Sequence, residues 1–250
     1  MNELYIGLIS GTSVDGVDAA LVRFGENTCE IPYAATTPYP NALRTRIDDL
    51  IRRGEATLSA LGAVDVAIGR FFADCALGLI RSAGFTPTDI RAIGHHGQTV
   101  CHQPDGAEPF SMQIGDPNSI AAKTGITTVA DFRRLDIAYG GQGAPLASGL
   151  HTWLFRRPDE VRVVLNLGGI ANVTILDRTA PRGFDTGPAN TLLDYWVRKC
   201  RGTPFDDNGA WASSGRVDAM LLERCPSERR SCRRSRPMST RPSKRPSIPS

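Results

Sequence analysis

The stretch IGLISGTSVDGVDAALVRF, residues 6–24, constrains the fold more than any other. In it an apolar run enters a turn holding two glycines and two aspartates, then becomes a second apolar run. A Walker-type phosphate loop opens a helix and ends in GK[ST]. Here neither holds: Val17, Ala19, Leu21 and Phe24 continue with roughly alternating, β-favouring character. The turn therefore joins two antiparallel strands. The same order of apolar strand, glycine turn and apolar strand returns about 155 positions later in VRVVLNLGGIANVTILDR, where NLGGIAN echoes SGTSVDG. Such a recurrence reads as an internal duplication, with two similar lobes facing each other across a cleft.

Between the two hairpins, CEIPYAATTPYP reads as a third strand. NALRTRIDDLIRRG and TLSALGAVDVAIGRFFADCALGLIRSAG read as helices, with Asn41 or Thr57 as starts and Gly54 and Gly84 as stops. IRAIGHHG is a short buried strand running into a loop, PFSMQIGD another strand, PNSIAAKTG a helix with proline at its front, and ITTVADF a further strand. Beyond the second hairpin, TLLDYWVRKCRG is a helix closed by Gly202, and SSGRVDAMLLER begins another. Strands, helices, then strand and helix in alternation predict a layered α/β fold.

The 250 residues, 41% hydrophobic and 22% charged, are ordinary for a globular chain. The net charge of +3 averages two unlike pieces. Residues 225–250 hold eight Lys/Arg against one Glu, with seven Ser and five Pro, and the remaining residues hold 21 basic against 25 acidic side chains. The tail has almost nothing apolar to bury and is expected to be disordered. The acidic body offers no electrostatic footprint for nucleic acid. No run approaches the roughly 18–20 apolar residues of a membrane span, and MNELYIGLIS lacks the basic start of a secretory signal, so a cytoplasmic setting is expected. Six scattered cysteines form no CxxC pair, which speaks against a zinc ribbon or a disulfide framework.

Four stretches carry candidate chemistry. In the two turns, Gly11, Gly16, Gly168 and Gly169 permit positive φ, so that backbone N–H groups form an anion-binding concavity. Thr12 and Ser13 add hydroxyl donors, while Asp15 and Asp18 are placed to hold a hydrated Mg²⁺ on the phosphates of a nucleotide. Taken alone, VDGVD reads equally as a plain hairpin turn. In GFDTGPAN, Asp185 lies in a glycine-flanked turn before a helix that Asn190 caps. It is a candidate general base with Thr186, Gly187 and Asn190 as neighbours, or else a simple turn aspartate. In GHHGQTVCH the three histidines lack the spacing of a metal site. His96, Gln98 and Thr99 suit hydrogen bonding to a polyol or sugar. DFRRLDIAYGGQGAPL reads as a glycine-rich loop in which Arg133 either clamps a substrate carboxylate or forms a surface salt bridge.

Taken in order, GTSVDGVD, HHGQTV, QIGD, DFRRLD, GGQGAPL, NLGGIANVT and FDTGPAN closely resemble the anhydro-N-acetylmuramic acid kinases of bacterial cell-wall recycling, over residues 4–224. The resemblance implies an α/β, two-lobed actin, sugar-kinase and heat-shock ATPase fold of ribonuclease H-like type. The first lobe would span residues 1–145, an incomplete second lobe 146–224, and the tail 225–250. It implies ATP and Mg²⁺ as cofactors and an anhydro amino sugar as substrate, opened by water and phosphorylated on O6. Gly11 to Asp18, Val14 and Val17 included, then resemble the ATP phosphate loop, with Gly168 and Gly169 as its counterpart and Asp18 near the metal. Asp185 resembles the base that activates water; His96, Gln98, Thr99, Arg133 and Asn190 fall on the sugar side. A homodimer is left open, and no nucleic acid or membrane partner is implied. Ala189 stands where many members have glycine, and Val14 where many have methionine. Members continue well past Arg224, so residues 225–250 read as a reading-frame product rather than part of the fold. A non-catalytic fragment and another sugar kinase of the same fold are the competing readings.

Overall fold

A computed structural model describes residues 3–11, 13–26 and 28–220, so the basic tail lies outside the described residues. These residues form two compact units, divided between Leu146 and Ala147.

The first unit opens with β1 (Leu4–Ser10), β2 (Gly16–Phe24) and β3 (Cys29–Pro38), an antiparallel meander in which Ile6 faces Leu21 and Ala20 faces Ala34. Pro32, which cannot donate to a ladder, is tolerated because β3 is an edge strand. α1 (Asn41–Arg53) and α2 (Leu58–Ser82) follow. α1 begins at Asn41, but Pro40 occupies its cap position and no side chain caps it; Gly54 ends it in the left-handed conformation. α2 is capped by Thr57, whose hydroxyl accepts from Ala60 N at 3.1 Å, and it buries Val64, Ile68, Phe72, Ala76 and Leu79 along one stripe. β4 (Ile90–Gln103) then lies parallel to β1, followed by β5 (Phe110–Ile114), α3 (Pro117–Thr124), β6 (Thr128–Ala130) and α4 (Phe132–Ala138). The first half of β4 pairs in parallel with β6 and its second half antiparallel with β5. The strand expected to run into a loop at Gly97 therefore continues through Gln103. Likewise, residues 132–138, expected as loop, are helical.

The sheet has six strands in the order β3-β2-β1-β4-β5, with β6 also pairing β4; β2 and β5 run against the other four, and β3-β2-β1-β4-β6 among them form the ribonuclease H-like arrangement. Leu4, Ile6, Leu8, Val17, Ala19 and Leu21 point to the face covered by α1, α2 and α3, where Ile47, Ile68, Phe72, Ile80 and Ile120 complete the core. Gly69 lets α2 approach the β5–α3 junction: a Cβ there would sit 2.5 Å from Asp116 O.

The second unit holds α5 (Ser148–Phe155), β7 (Arg162–Leu167), β8 (Ile170–Leu176), β9 (Arg182–Pro188) and α6 (Asn190–Arg201), closed by Gly202 in the left-handed conformation. β7-β8-β9 is again an antiparallel meander. α5 packs on β8, where His151 Nδ1 and Thr174 Oγ1 share a 2.9 Å hydrogen bond. Residues 216–218 are not helical, and most of the helix expected from SSGRVDAMLLER lies outside the described residues.

Candidate active site

The alternation of β1 that turns Leu4, Ile6 and Leu8 inward also turns Ser10 inward, where it is 2% exposed. A buried hydroxyl needs partners. Ser10 Oγ lies 2.8 Å from Gly16 O and 2.6 Å from Gln98 Oε1, and Gln98 Nε2 donates to Gly11 O and Thr99 O, both at 3.1 Å. Gln98 is fully buried. Its amide therefore holds the turn from behind.

The turn itself departs from expectation. None of Gly11, Gly16, Gly168 and Gly169 has positive φ; among the described residues of the first turn the left-handed one is Val14, at φ 53°. The need for glycine at position 16 is steric, since a Cβ there would lie 2.5 Å from Thr37 O of β3. At position 169 a Cβ would lie 2.8 Å from Thr191 Oγ1. The anion-binding concavity inferred from glycine flexibility is thus not built that way. Val14 N bonds Gly11 O at 3.3 Å, and Ser13 Oγ donates to Asp15 Oδ1 at 2.8 Å. Thr12 lies outside the described residues. Val17 is buried in β2, while Asp18 is exposed next to it and accepts from Thr36 Oγ1 at 2.6 Å. Asp18 and His96 are both among the residues lining an open groove of about 700 Å³ over the small residues Gly7, Ala20 and Gly94.

His95 and His96 take opposite faces of β4. His95 is buried edge-on against Phe72 and donates from Nε2 to Gly115 O at 2.6 Å; burial lowers its pKa to about 4. His96 accepts at Nε2 from Arg133 Nε at 2.8 Å, and its Nδ1 lies 2.9 Å from Gly97 O, a partner set that assigns the neutral tautomer. Burial, and to a lesser degree the Arg133 charge, hold its pKa below the ordinary value. Arg133 also donates to Gly143 O, and Asp136 accepts from Gly143 N at 2.8 Å. Helix α4 and the loop after it are thereby tied to β4 through one guanidinium. Gly141 must be glycine for this closure, since a Cβ would overlap the Asp136 carboxylate. Thr99 Oγ1 accepts from Gln113 Nε2 of β5 at 3.2 Å, so its hydroxyl is engaged inside the sheet.

In the second unit, the amides of Ala189, Asn190 and Thr191 donate to the carbonyls of Gly168 and Gly169 at 2.9–3.2 Å. The glycine turn thus caps α6 with its own carbonyls. Ala189, not Asn190, is the cap residue; Asn190 Nδ2 reaches back to Leu167 O at 3.1 Å. Asp185 lies within strand β9 opposite Asn172, not in a turn, and is exposed.

Sequence reading passed over Ser10. The signal was a hydroxyl at an inward position of an otherwise apolar alternation, directly before the glycine turn.

Comparison with known proteins decides the family. The family model described as Anhydro-N-acetylmuramic acid kinase matches residues 3–241. The chain belongs to the anhydro-N-acetylmuramic acid kinase family. Among curated members, the Pasteurella multocida protein is 51% identical over 219 residues, covering 87% of this chain and 58% of that one. The Xanthomonas axonopodis pv. citri protein is 52% identical over 227 residues, covering 89% and 61%. A Coxiella burnetii protein is 50% identical over 223 residues, covering 88% and 59%. This anhydro-N-acetylmuramic acid kinase family chain therefore spans about 60% of the length of the curated relatives it matches. Among solved structures, similarity is found to the Aquifex aeolicus Ppx/GppA phosphatase, with TM-score 0.41, 8% identity, and 84% of this chain and 60% of that one covered. The ROK hexokinase from Thermus thermophilus gives TM-score 0.37 and 14% identity, with 88% and 72% covered.

Proposed function

We propose that this chain carries the catalytic residues of an ATP-dependent kinase that opens 1,6-anhydro-N-acetylmuramic acid with water and phosphorylates its O6. The products are N-acetylmuramic acid 6-phosphate and ADP. The observation that supports this most is the family match over residues 3–241, which includes every motif in order.

The turn from Gly11 to Asp18 is assigned to the nucleotide phosphates. Its side chains offer hard oxygen donors from Ser13, Asp15 and Asp18, a set that fits a magnesium-bound phosphate. Magnesium, when bound, neutralises charge across the β- and γ-phosphates. Asp18 and Asp15 are the residues that would hold it through water.

Asp185 is assigned as general base. It takes a proton from water as the water oxygen bonds the anomeric carbon; the C1–O6 bond breaks, and O6 takes the γ-phosphoryl group of ATP. The proton on Asp185 passes to solvent. A carboxylate delivering water resembles the base of an inverting glycosidase, with phosphoryl capture of O6 in place of a proton donor. Arg133 and His96 form the sugar side, with the Arg133 charge facing the lactyl carboxylate. Asn190, Gly168 and Gly169 order the start of α6 behind Asp185.

The test is ADP release and ¹⁸O uptake at C1 when the chain is given ATP, Mg²⁺ and the anhydro sugar in H₂¹⁸O. Asp185→Asn keeps the shape and removes proton acceptance, and should lower turnover by about 10² to 10⁴-fold with ATP affinity unchanged. Turnover within tenfold of the parent would mean that the base lies elsewhere. No ADP release by the parent at millimolar sugar would overturn the activity itself.

A further inference from the structure

The pairing of β1 with β4 changes register within one turn of sequence: Leu8 faces His95, but Ser10 faces Gln98. One extra residue is therefore inserted in β4, at Gly97, whose φ is +80°. A bulge of this kind inverts the alternation beyond it and re-aims the next side chain. Without it, Gln98 would share a face with His96; with it, Gln98 turns in beside His95, fully buried. The bulge is held from the far side, because a Cβ on Gly97 would sit 2.9 Å from Ile114 O and 3.2 Å from Gln113 Cβ.

The re-aimed amide reaches both ends of the turn. It donates directly to Gly11 O, where the turn begins, and through Ser10 Oγ it is linked to Gly16 O, where the turn ends. The turn so gripped contains Val14 at φ 53°, a conformation that a β-branched residue resists and that surrounding structure must enforce. Val14 itself is buried, and Gly16 is wedged against Thr37 of β3.

We propose that Gln98, acting with Ser10, is a positioning residue for the nucleotide: a latch from β4 that fixes the turn from Gly11 to Gly16 in its strained form. This rests on the assignment of that turn to the phosphates of ATP. Gln98 touches neither substrate. Its influence runs through backbone carbonyls at both ends of the turn, so its loss should weaken nucleotide binding and leave the sugar side, held by His96 and Arg133 on the opposite face of β4, intact.

The experiment uses the 250-residue chain with Gln98→Met, close in shape but lacking the amide, beside Gly11→Val and the parent. Amide exchange should quicken at least tenfold over residues 13–18 while α2 stays within threefold. By calorimetry, affinity for Mg·ATP should fall at least tenfold while affinity for the anhydro sugar stays within twofold. Uniform quickening across the first unit, or equal loss for both ligands, would reduce Gln98 to a fold residue and overturn the latch. If Gly11→Val loses ATP and Gln98→Met retains it, the latch alone is wrong. If the parent binds no ATP, or Gly11→Val binds it like the parent, the phosphate assignment fails, and the latch's role in nucleotide binding fails with it.

Discussion

The two units share a motif and differ in what surrounds it. Each holds a three-stranded antiparallel meander whose first two strands are joined by a glycine turn, at the start of the first unit and after α5 in the second. In the first unit, β1 gains β4 along its open edge and a layer of helices over one face. In the second, β7 remains an edge strand among the described residues. The consequence is read on two apolar rows of similar composition: Leu4, Ile6 and Leu8 are 5%, 1% and 2% exposed, whereas Val163, Leu165 and Leu167 are 59%, 56% and 61% exposed. On α6, Leu192, Leu193, Tyr195 and Trp196 are also exposed. An alternating pattern selects a strand, but burial of its apolar side requires a second layer. The same motif is a core in one unit and an open face in the other.

The sharpest way to break this comparison is a cavity in the first unit. Phe72 is fully buried between α2 and the sheet, against His95. Phe72→Ala should lower the opening free energy of β1, β4 and α2 by about 3–5 kcal/mol, measured by native-state hydrogen exchange, with exchange in β7–β9 unchanged. A comparable loss in β7–β9 would show that the two units open as one.

Acid should separate the units next. His95, buried in the first, has its folded pKa lowered to about 4, below its ordinary 6.5. The unfolded chain therefore takes up the proton first as pH falls. Stability from the neutral ring is complete above about pH 6.5, declines through the window down to about 4, and is lost by about 3 kcal/mol below it. His151 in the second unit is also lowered by burial, but it is the less enclosed ring. Protection of β4 amides should thus fall between pH 6.5 and 4 more steeply than protection of β8 amides. His95→Gln should flatten the β4 profile, and a profile unchanged by that substitution would refute the assignment.

What could be read in advance divides along the same line as local and distant forces. The stripe from Val64 to Leu79, the cap at Thr57, the stops at Gly54 and Gly202 and the proline opening α3 are local signals, and the elements form where these put them. The bulge at Gly97 is not local. It depends on β5 pressing from residues 113 and 114, and it is what moved Gln98 off the face of His96. Helix α4 was hidden because the glycines after it dominated the reading of residues 131–146, whereas Asp136 and Arg133 fold that loop back onto the helix. In the turns, glycine was expected for its dihedral freedom but serves close approach at positions 16 and 169, and the strained conformation falls on Val14. Asp185 stands out by its glycine and proline flanks, yet those flanks belong to a strand that is at the sheet edge among the described residues, not to a turn.

The smallest expected effect sharpens the comparison most, because it asks whether the exposed row of β7 contributes anything to the fold of this chain. Leu165 pairs across to Val173 and stands between Val163 and Leu167 on the open strand. A side chain already in water loses little when made polar, and exposed substitutions fall within roughly 0.5 kcal/mol. Leu165→Lys should therefore leave exchange protection of β8 within that margin, where the equivalent change at Ile6 would abolish the first unit. It should also lower self-association, since a lysine on an apolar edge opposes strand-to-strand pairing between copies. Light scattering across a concentration series measures the second effect and hydrogen exchange the first. If Leu165→Lys instead costs the second unit about 2 kcal/mol or more, the row is covered in solution by another layer, and the difference between the two units is one of supply rather than of design.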